Sequence, residues 1–104
     1  MDNERIDFSV DLLRRQVREL KAAKDLYATP HERLAHAVSE VGEVAEAALR
    51  LSAAAEGEKE RAREELGMEI YDVFWNLCDL AEISSVDLED AFAKKAKLNR
   101  ERSW

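Results

Sequence analysis

Cysteine is nearly absent from this chain. Its one cysteine, Cys78, lies inside an apolar run, so the sequence has neither a disulfide framework nor a thiolate cluster for zinc. A lone cysteine in such a run is typical of a small buried core residue, and we interpret Cys78 in that way. Function therefore has to reside in other residue types.

Proline and glycine are also scarce, with one proline and three glycines in 104 residues. The remainder is rich in Ala, Leu, Glu, Lys and Arg, which is typical of an all-helical protein with short connections. The length predicts a single domain over residues 1–104. Because a helical domain of this size buries only a modest core, we also expect self-association.

Long apolar runs and excess positive charge are missing as well. No apolar stretch approaches the roughly 18 residues of a membrane span, and the first residues are polar, so we expect a cytoplasmic protein. With 16 basic against 23 acidic residues, the formal net charge is −7. Nucleic acid and anionic membrane both require a cationic surface, so neither is expected as a partner. A polyphosphate substrate would need metal ions as intermediaries.

Apolar periodicity predicts four helices. The first runs from about Asp7 to Ala28, and its polar face carries arginines and lysines that include Lys21. The second begins with Thr29 as N-cap, Pro30 as the first helical residue and Glu32 closing a capping box, and it ends near Ala54. Its predicted buried stripe consists of Leu34, Val38, Val41, Ala45, Ala48 and Leu49.

The third and fourth helices follow short connections. The third is predicted from about Ala62 to Ile83, and Asp87 is placed to cap the fourth. The core stripe expected on the third helix consists of Leu66, Ile70, Val73, Leu77 and Leu80. We therefore predict an all-α fold, a four-helix bundle completed by homo-oligomerisation.

Two carboxylate pairs stand out on the second and third helices: Glu40 with Glu43, and Glu69 with Asp72. Residues three apart in a helix point about 60° apart, so both members of a pair can face one object. Two such helices facing each other would form an oxygen-lined cage for hard divalent cations. The predicted polar seam on the third helix comprises Glu65, Glu69, Asp72, Asn76 and Asp79.

Acidic pairs are common in a chain that is 38% charged, and most are solvated surface. Here, however, the second helix has no lysine or arginine from His36 to Leu49 to pair with its carboxylates. Like charges at a half-buried seam would also repel one another unless a cation offsets them. Without cysteine or the Glu-x-x-His step of di-iron bundles, oxygen ligands favour Mg²⁺, with Mn²⁺ as the alternative.

Three segments carry a family resemblance. They are Glu40-Val-Gly-Glu43-Val-Ala-Glu46-Ala, the run from Glu64 to Leu77 that contains Glu69-Ile-Tyr-Asp72, and the run from Val86 to Ala91 with the basic tail from Lys95 to Arg102. In this order and spacing they resemble the MazG-like all-α nucleoside triphosphate pyrophosphohydrolases, and the resemblance extends from about Leu34 to Arg102.

The resemblance implies a homodimer or homotetramer that holds nucleotide near a subunit interface. It implies Mg²⁺-dependent hydrolysis between the α and β phosphates of a nucleoside triphosphate, which clears unwanted nucleotides. By position, Glu40, Glu43, Glu69 and Asp72 match the metal ligands, and we choose Glu40 as the acceptor of the attacking water's proton. The residues expected to bind substrate include the tail residues Lys95, Asn99, Arg100 and Arg102, which match a family tail that contacts phosphate or the nucleotide. Asn76 is also expected to bind substrate, and Asn76 or Asn99 is the candidate for a hydrogen bond to the edge of the base.

Two alternatives stay open. Phosphoribosyl-ATP pyrophosphohydrolase has a similar carboxylate pattern on a chain of similar length, and a non-catalytic acidic helical interaction module would show no metal dependence. Phe8, Trp75 and Trp104 are candidates for stacking on a base, although aromatics at helical spacing more often pack in a core or a subunit contact. The sequence does not select among nucleotides.

Overall fold

The computed structural model describes residues 7–103, so residues 1–6 of the predicted domain and the candidate stacking residue Trp104 lie outside it. The described residues form α1 (Val10–Lys24), α2 (Pro30–Ala53), α3 (Lys59–Ile83) and α4 (Leu88–Glu101), with a 3₁₀ turn (Glu56–Glu58) before α3. No strand occurs among them, and the predicted all-α fold is confirmed. None of these helices is long and apolar enough to cross a membrane.

The start of α2 follows its predicted capping signal. Thr29 Oγ1 accepts a hydrogen bond from the Glu32 backbone N–H (3.2 Å), and the Glu32 carboxylate accepts one from the Thr29 N–H (2.8 Å). The bond from Thr29 lowers the pKa of Glu32. A lowered pKa means that folding favours the charged carboxylate. The hydrogen bond of Glu32 therefore contributes to the free energy of unfolding at pH values above the ordinary carboxyl pKa. It is lost as the pH falls through the lowered pKa.

Replacing Thr29 with alanine should lower the free energy of unfolding by about 1 kcal/mol, because alanine offers no oxygen to the N–H groups that begin α2. Thr29→Ser keeps the acceptor and should retain most of the stability. Urea denaturation of both variants at pH 7 measures the difference. Equal stability of the alanine and serine variants would contradict a contribution from the cap.

α1 is shorter than the predicted span from Asp7 to Ala28. The Ser9 backbone is extended, and its Oγ accepts a hydrogen bond from the Leu12 N–H (3.0 Å), which starts the helix at Val10. Asp25 then adopts the left-handed conformation with φ 55°, and α1 ends before it. Both ends are set by local backbone geometry that an apolar periodicity does not report.

The apolar core lies between α1 and α3. Leu13 and Val17 of α1 form one buried cluster with Trp75 and Cys78 of α3. Cys78 is buried as predicted, and burial raises the pKa of its thiol, which disfavours the reactive thiolate. α2 packs on α3 through small buried side chains, which allow the two helix axes to approach closely; these are Ala37, Ala47 and Ala62.

The stripe predicted to bury α2 is exposed. Its large members, here named the α2 apolar stripe, are between 48% and 70% exposed: Leu34, Val38, Val41 and Leu49. The prediction of this buried face was wrong for the single chain, because α3 packs instead on the adjacent face that carries Arg33, Ala37 and Ala47. On α3, likewise, none of the five stripe residues is buried, and the helix begins at Lys59 rather than near Ala62.

α4 makes few contacts with the rest of the chain. Asp87 caps it as predicted, accepting a hydrogen bond from the Asp90 N–H (3.0 Å), and Glu89 pairs with Arg14 of α1. No residue of α4 is buried, and its apolar Phe92 and Leu98 are exposed. The Cα radius of gyration is 16.3 Å, against about 13 Å for a compact domain of this length. The fold therefore has apolar surface that the single chain does not cover.

Candidate functional site

Three of the four predicted carboxylates come together across the α2–α3 interface. Glu40 of α2 meets Glu69 and Asp72 of α3, and one oxygen from each lies within 4.8 Å of the others. Glu40 and Glu69 are half-buried. The three-residue step on α3 turns both of its carboxylates towards α2, as the helical geometry predicts. We name these three residues the carboxylate cluster.

The cluster is electrostatically strained. Burial raises the pKa of Glu40, and the negative charges of Asp72, Glu69 and Glu43 raise it further, in that order. His36, one turn earlier on α2, acts in the opposite direction. Repulsion among like charges at a half-buried site is relieved by a cation placed between them.

Glu43 lies outside the cluster. It is exposed, and the group of oxygens within 4.8 Å of one another among the described residues does not include it. Glu43 follows Glu40 by three residues, the same step that separates Glu69 from Asp72, so the step alone does not bring both members of a pair into the cluster. Its charge reaches Glu40, but its side chain would have to turn to share a ligand with the cluster.

The cluster fits a hard divalent cation. Oxygens on opposite sides of one Mg²⁺ ion are about 4.2 Å apart, twice the usual Mg–O distance, so the cluster needs only small side-chain shifts to hold such an ion. All three donors are carboxylate oxygens, which Mg²⁺ and Mn²⁺ prefer over the imidazole and thiolate ligands typical of zinc.

A cavity of about 450 Å³, the first cavity, opens beside the cluster. Glu40 and Asp72 line it together with five aromatic or amide side chains and with five other residues. The aromatic and amide members are Tyr27, His36, Tyr71, Trp75 and Asn76, and the others are Leu20, Asp25, Leu26, Ala28 and Arg33. Aromatic walls with a few polar groups suit a flat ring with polar edges.

A second cavity, of about 510 Å³, also borders the cluster. It shares Tyr71 and Asp72 with the first cavity, but Glu69 lines only the second and Glu40 only the first. The remaining lining residues are Arg50, Glu65 and Met68. The carboxylate cluster therefore lies between two cavities of different chemistry.

A buried ion-pair network lies next to the first cavity. Asp79 is 0% exposed and accepts hydrogen bonds from Lys21 Nζ (2.5 Å) and Arg33 Nε (2.7 Å). Arg33 also donates from Nη1 to Asn76 Oδ1 (3.1 Å) and from Nη2 to the Leu26 carbonyl (3.0 Å). This Asp79 network joins α1, the α1–α2 connection, α2 and α3 at one point.

The network corrects two predictions. The spacing predicts that Asp79 belongs to the polar seam of α3, but two buried cations, Lys21 and Arg33, neutralise it. Lys21 was placed on the polar face of α1, yet it is buried because it reaches Asp79. Sequence reasoning also missed Arg33. The available signal was its position seven residues before Glu40, two turns earlier on the same side of α2.

Asn76 lines the first cavity, as its predicted contact with substrate requires, but it is buried and its polar atoms have partners. Besides accepting from Arg33, it donates from Nδ2 to the Asp72 carbonyl (2.8 Å). These bonds fix the orientation of the Asn76 amide next to the cluster.

The tail residues lie away from both cavities. Lys95, Asn99 and Arg100 are exposed on α4, and Arg102 follows the end of that helix. Within the described chain, none of these four residues lines either cavity. A single chain therefore does not bring the predicted phosphate contacts to the carboxylates.

The candidate stacking residues differ in whether they line a cavity and in how exposed they are. Phe8 packs on Phe74, with ring centroids 5.9 Å apart, and lines neither cavity. Trp75 is buried against α1, with the Arg33 guanidinium 5.0 Å from its ring centroid and no partner for its Nε1 among the described residues. Tyr27, which the sequence did not indicate as a stacking residue, also lines the first cavity and is far more exposed than Trp75.

A comparison with known protein families gives a match over most of the chain. The family model for the MazG nucleotide pyrophosphohydrolase domain matches residues 28–103. The chain belongs to this family. The matched region includes the whole carboxylate cluster, whereas α1, which supplies Lys21, precedes it. A search of curated proteins found no match to the chain.

Membership of the MazG family supports a nucleotide pyrophosphohydrolase-type function and a nucleotide substrate. MazG enzymes generally depend on a divalent metal, and the acidic cluster of this chain is suited to one. The sequence resemblance and the geometry of the cluster therefore agree on the class of chemistry.

Proposed function

We propose that this protein is a Mg²⁺-dependent nucleoside triphosphate pyrophosphohydrolase, which cleaves between the α and β phosphates to give a nucleoside monophosphate and pyrophosphate. The observation that carries the proposal is the carboxylate cluster beside a cavity with aromatic and amide walls, in a MazG-family chain. Mn²⁺ is the alternative ion. Such a reaction removes unwanted nucleotides from the cellular pool.

The carboxylate cluster and the triphosphate substrate are both negatively charged, so binding requires a cation between them. A triphosphate brought directly to three carboxylates would be repelled. Divalent ions, when bound, neutralise that charge and polarise the phosphate oxygens. In this proposal Glu40, Glu69 and Asp72 hold the ions, and Glu43 joins them by a turn of its side chain.

Glu40 is the proposed general base. It belongs to the cluster and also lines the first cavity, so its carboxylate is near the point where the nucleoside part of the substrate and its α-phosphate would meet. A carboxylate oxygen at that point can accept the proton of the attacking water. Asn76, its amide fixed by Arg33 and the Asp72 carbonyl, is proposed to contact the base beside Tyr27.

We further propose that the working form is a homodimer or homotetramer. Soluble monomers rarely expose large contiguous apolar patches, and the α2 apolar stripe is a row of four large exposed apolar side chains along one helix. Phe92 and Leu98 add exposed apolar surface on α4. In an oligomer, Lys95, Asn99, Arg100 and Arg102 can reach the triphosphate from a neighbouring subunit. That arrangement accounts for their position outside both cavities of their own chain.

The function is tested with a panel of nucleoside triphosphates and phosphoribosyl-ATP in the presence of Mg²⁺. We expect pyrophosphate and the monophosphate to be released together from at least one triphosphate, and the release to stop when EDTA is added. Turnover of phosphoribosyl-ATP alone would favour the phosphoribosyl-ATP pyrophosphohydrolase alternative. Absence of any turnover, with no rise of the melting temperature in Mg²⁺, would favour the interaction module.

Oligomer formation is tested by placing a charge on the α2 apolar stripe. Val38→Asp should reduce the mass measured by light scattering to that of a monomer, because it would place a carboxylate in an apolar interface. The matched control is Ser39→Asp, since Ser39 is exposed and points about 100° away around α2. The proposed interface is wrong if both variants keep the mass of the wild type.

A further inference from the structure

The second cavity has a single cation, Arg50, among the described residues that line it. Arg50 is on α2, two helical turns beyond Glu43 and on the same side of the helix. The cavity that it lines continues from the carboxylate cluster through Glu69 and Asp72. A substrate held at the cluster therefore has Arg50 on one side and the aromatic wall of the first cavity on the other.

The Arg50 side chain is available for a ligand. It is 52% exposed, and its nearest carboxylate, Glu65, lies 3.7 Å from Nε, which is beyond hydrogen-bond distance. Glu65 in turn lies 3.3 Å from Arg61 Nε, so its charge is shared between two arginines. In contrast, Arg33, the arginine of the first cavity, is buried and its hydrogen bonds are directed to protein groups.

The two cavities differ in the ligand chemistry that they suit. The aromatic and amide groups of the first cavity suit a nucleoside, and the arginine of that cavity, Arg33, donates to protein groups. The second cavity presents the exposed Arg50 guanidinium beside the carboxylates of Glu65, Glu69 and Asp72. A guanidinium binds phosphate oxygens in a bidentate manner, and carboxylates reach the same oxygens only through a shared cation. A phosphate chain that leaves the cluster towards Arg50 meets both kinds of contact.

We propose that the second cavity is the subsite for the pyrophosphate part of the substrate, and that Arg50 binds its phosphate oxygens from the same chain that supplies the carboxylate cluster. This inference rests on the proposed function. It places the nucleoside in the first cavity, the scissile bond at the cluster, and the leaving group in the second cavity. Arg50 then holds pyrophosphate both as part of the substrate and as the released product.

Binding of inorganic pyrophosphate with Mg²⁺, measured by calorimetry without turnover, tests the subsite. Arg50→Ala should weaken this binding by about 10- to 100-fold, the usual effect of losing hydrogen bonds between charged groups. Arg50→Lys should recover part of the affinity. Binding of the nucleoside monophosphate should be unchanged, because that product occupies the first cavity.

Arg63→Ala is the matched control. Arg63 is 57% exposed, much as Arg50 is, but it pairs with Glu60 and does not line the second cavity, so its loss should leave pyrophosphate affinity unchanged. The inference is overturned if Arg50→Ala binds pyrophosphate as the wild type does, or if it weakens monophosphate binding equally. The proposed function is rejected by a different result, namely that the wild type hydrolyses no triphosphate. The two outcomes can be distinguished because binding of pyrophosphate is measured without turnover.

Discussion

Replacing Asp79 with alanine should lower the free energy of unfolding by about 3–5 kcal/mol, the usual cost of breaking a buried ion pair from one side. Asp79 is fully buried and neutralises both Lys21 and Arg33. Without it, two cations remain in the interior with no carboxylate, and at least one has to be pulled out to water. Since small domains are stable by only about 5–15 kcal/mol, a large part of the total would be lost.

Glu82→Ala provides a close control for the Asp79 variant. Glu82 is also an acid of α3 that pairs with two cations of α1, Arg14 and Arg18, but its side chain is partly exposed. Its loss should cost less than about 1 kcal/mol, because solvent already screens its ion pairs. Urea denaturation at pH 7 measures both variants. If both substitutions lower the free energy of unfolding by the same amount, burial of the Asp79 network does not make its ion pairs more important for stability than exposed ones.

The features that the sequence predicted are local ones. Thr29, Pro30 and Glu32 fix the start of α2 within four residues, and Asp87 caps α4 through a residue three positions later. The same holds for Glu69 and Asp72, whose common direction follows from the pitch of one helix. Interactions that depend on one helical turn can be inferred from spacing alone.

The features that escaped prediction depend on which helix faces which. Lys21 and Asp79 are 58 residues apart, and no spacing rule connects them. The α2 apolar stripe was recognised, but its assignment to the core of the chain was wrong, because α3 packs on the neighbouring face that carries Arg33 and Ala37. Hydrophobic periodicity identifies an apolar face without identifying the element that covers it.

The position of Glu43 illustrates the same limit within the site. The Glu-x-x-Glu spacing predicted that both acids of α2 face α3, but of the two only Glu40 belongs to the cluster. For this reason Glu43→Gln should reduce activity less than substitution of a cluster member. Its effect on pyrophosphate release, measured beside a Glu69 variant, shows how far its side chain contributes.

Glu69→Gln should reduce the rate of pyrophosphate release on the order of 100-fold or more. The amide keeps the shape of the side chain but removes the charge that holds a divalent ion, and even groups that only orient metal ligands are worth about 10- to 100-fold. Glu64→Gln, an exposed acid on the same helix, is the control and should retain activity. Steady-state rates across a range of Mg²⁺ concentrations measure both.

Glu69→Gln, which should lower activity, should raise the stability of the metal-free protein. Without metal, Glu69 contributes to the repulsion that raises the pKa of Glu40, so Glu69→Gln should melt at a higher temperature than the wild type. Added Mg²⁺ should stabilise the wild type, by about 2.7 kcal/mol at 100 times its dissociation constant, and have little effect on the variant. A variant that is active, or that gains as much from Mg²⁺ as the wild type, would contradict a metal site at the cluster. Lower activity together with higher metal-free stability distinguishes Glu69 from an ordinary packing residue, whose loss would lower both, and the lost response to Mg²⁺ identifies the ligand as a cation.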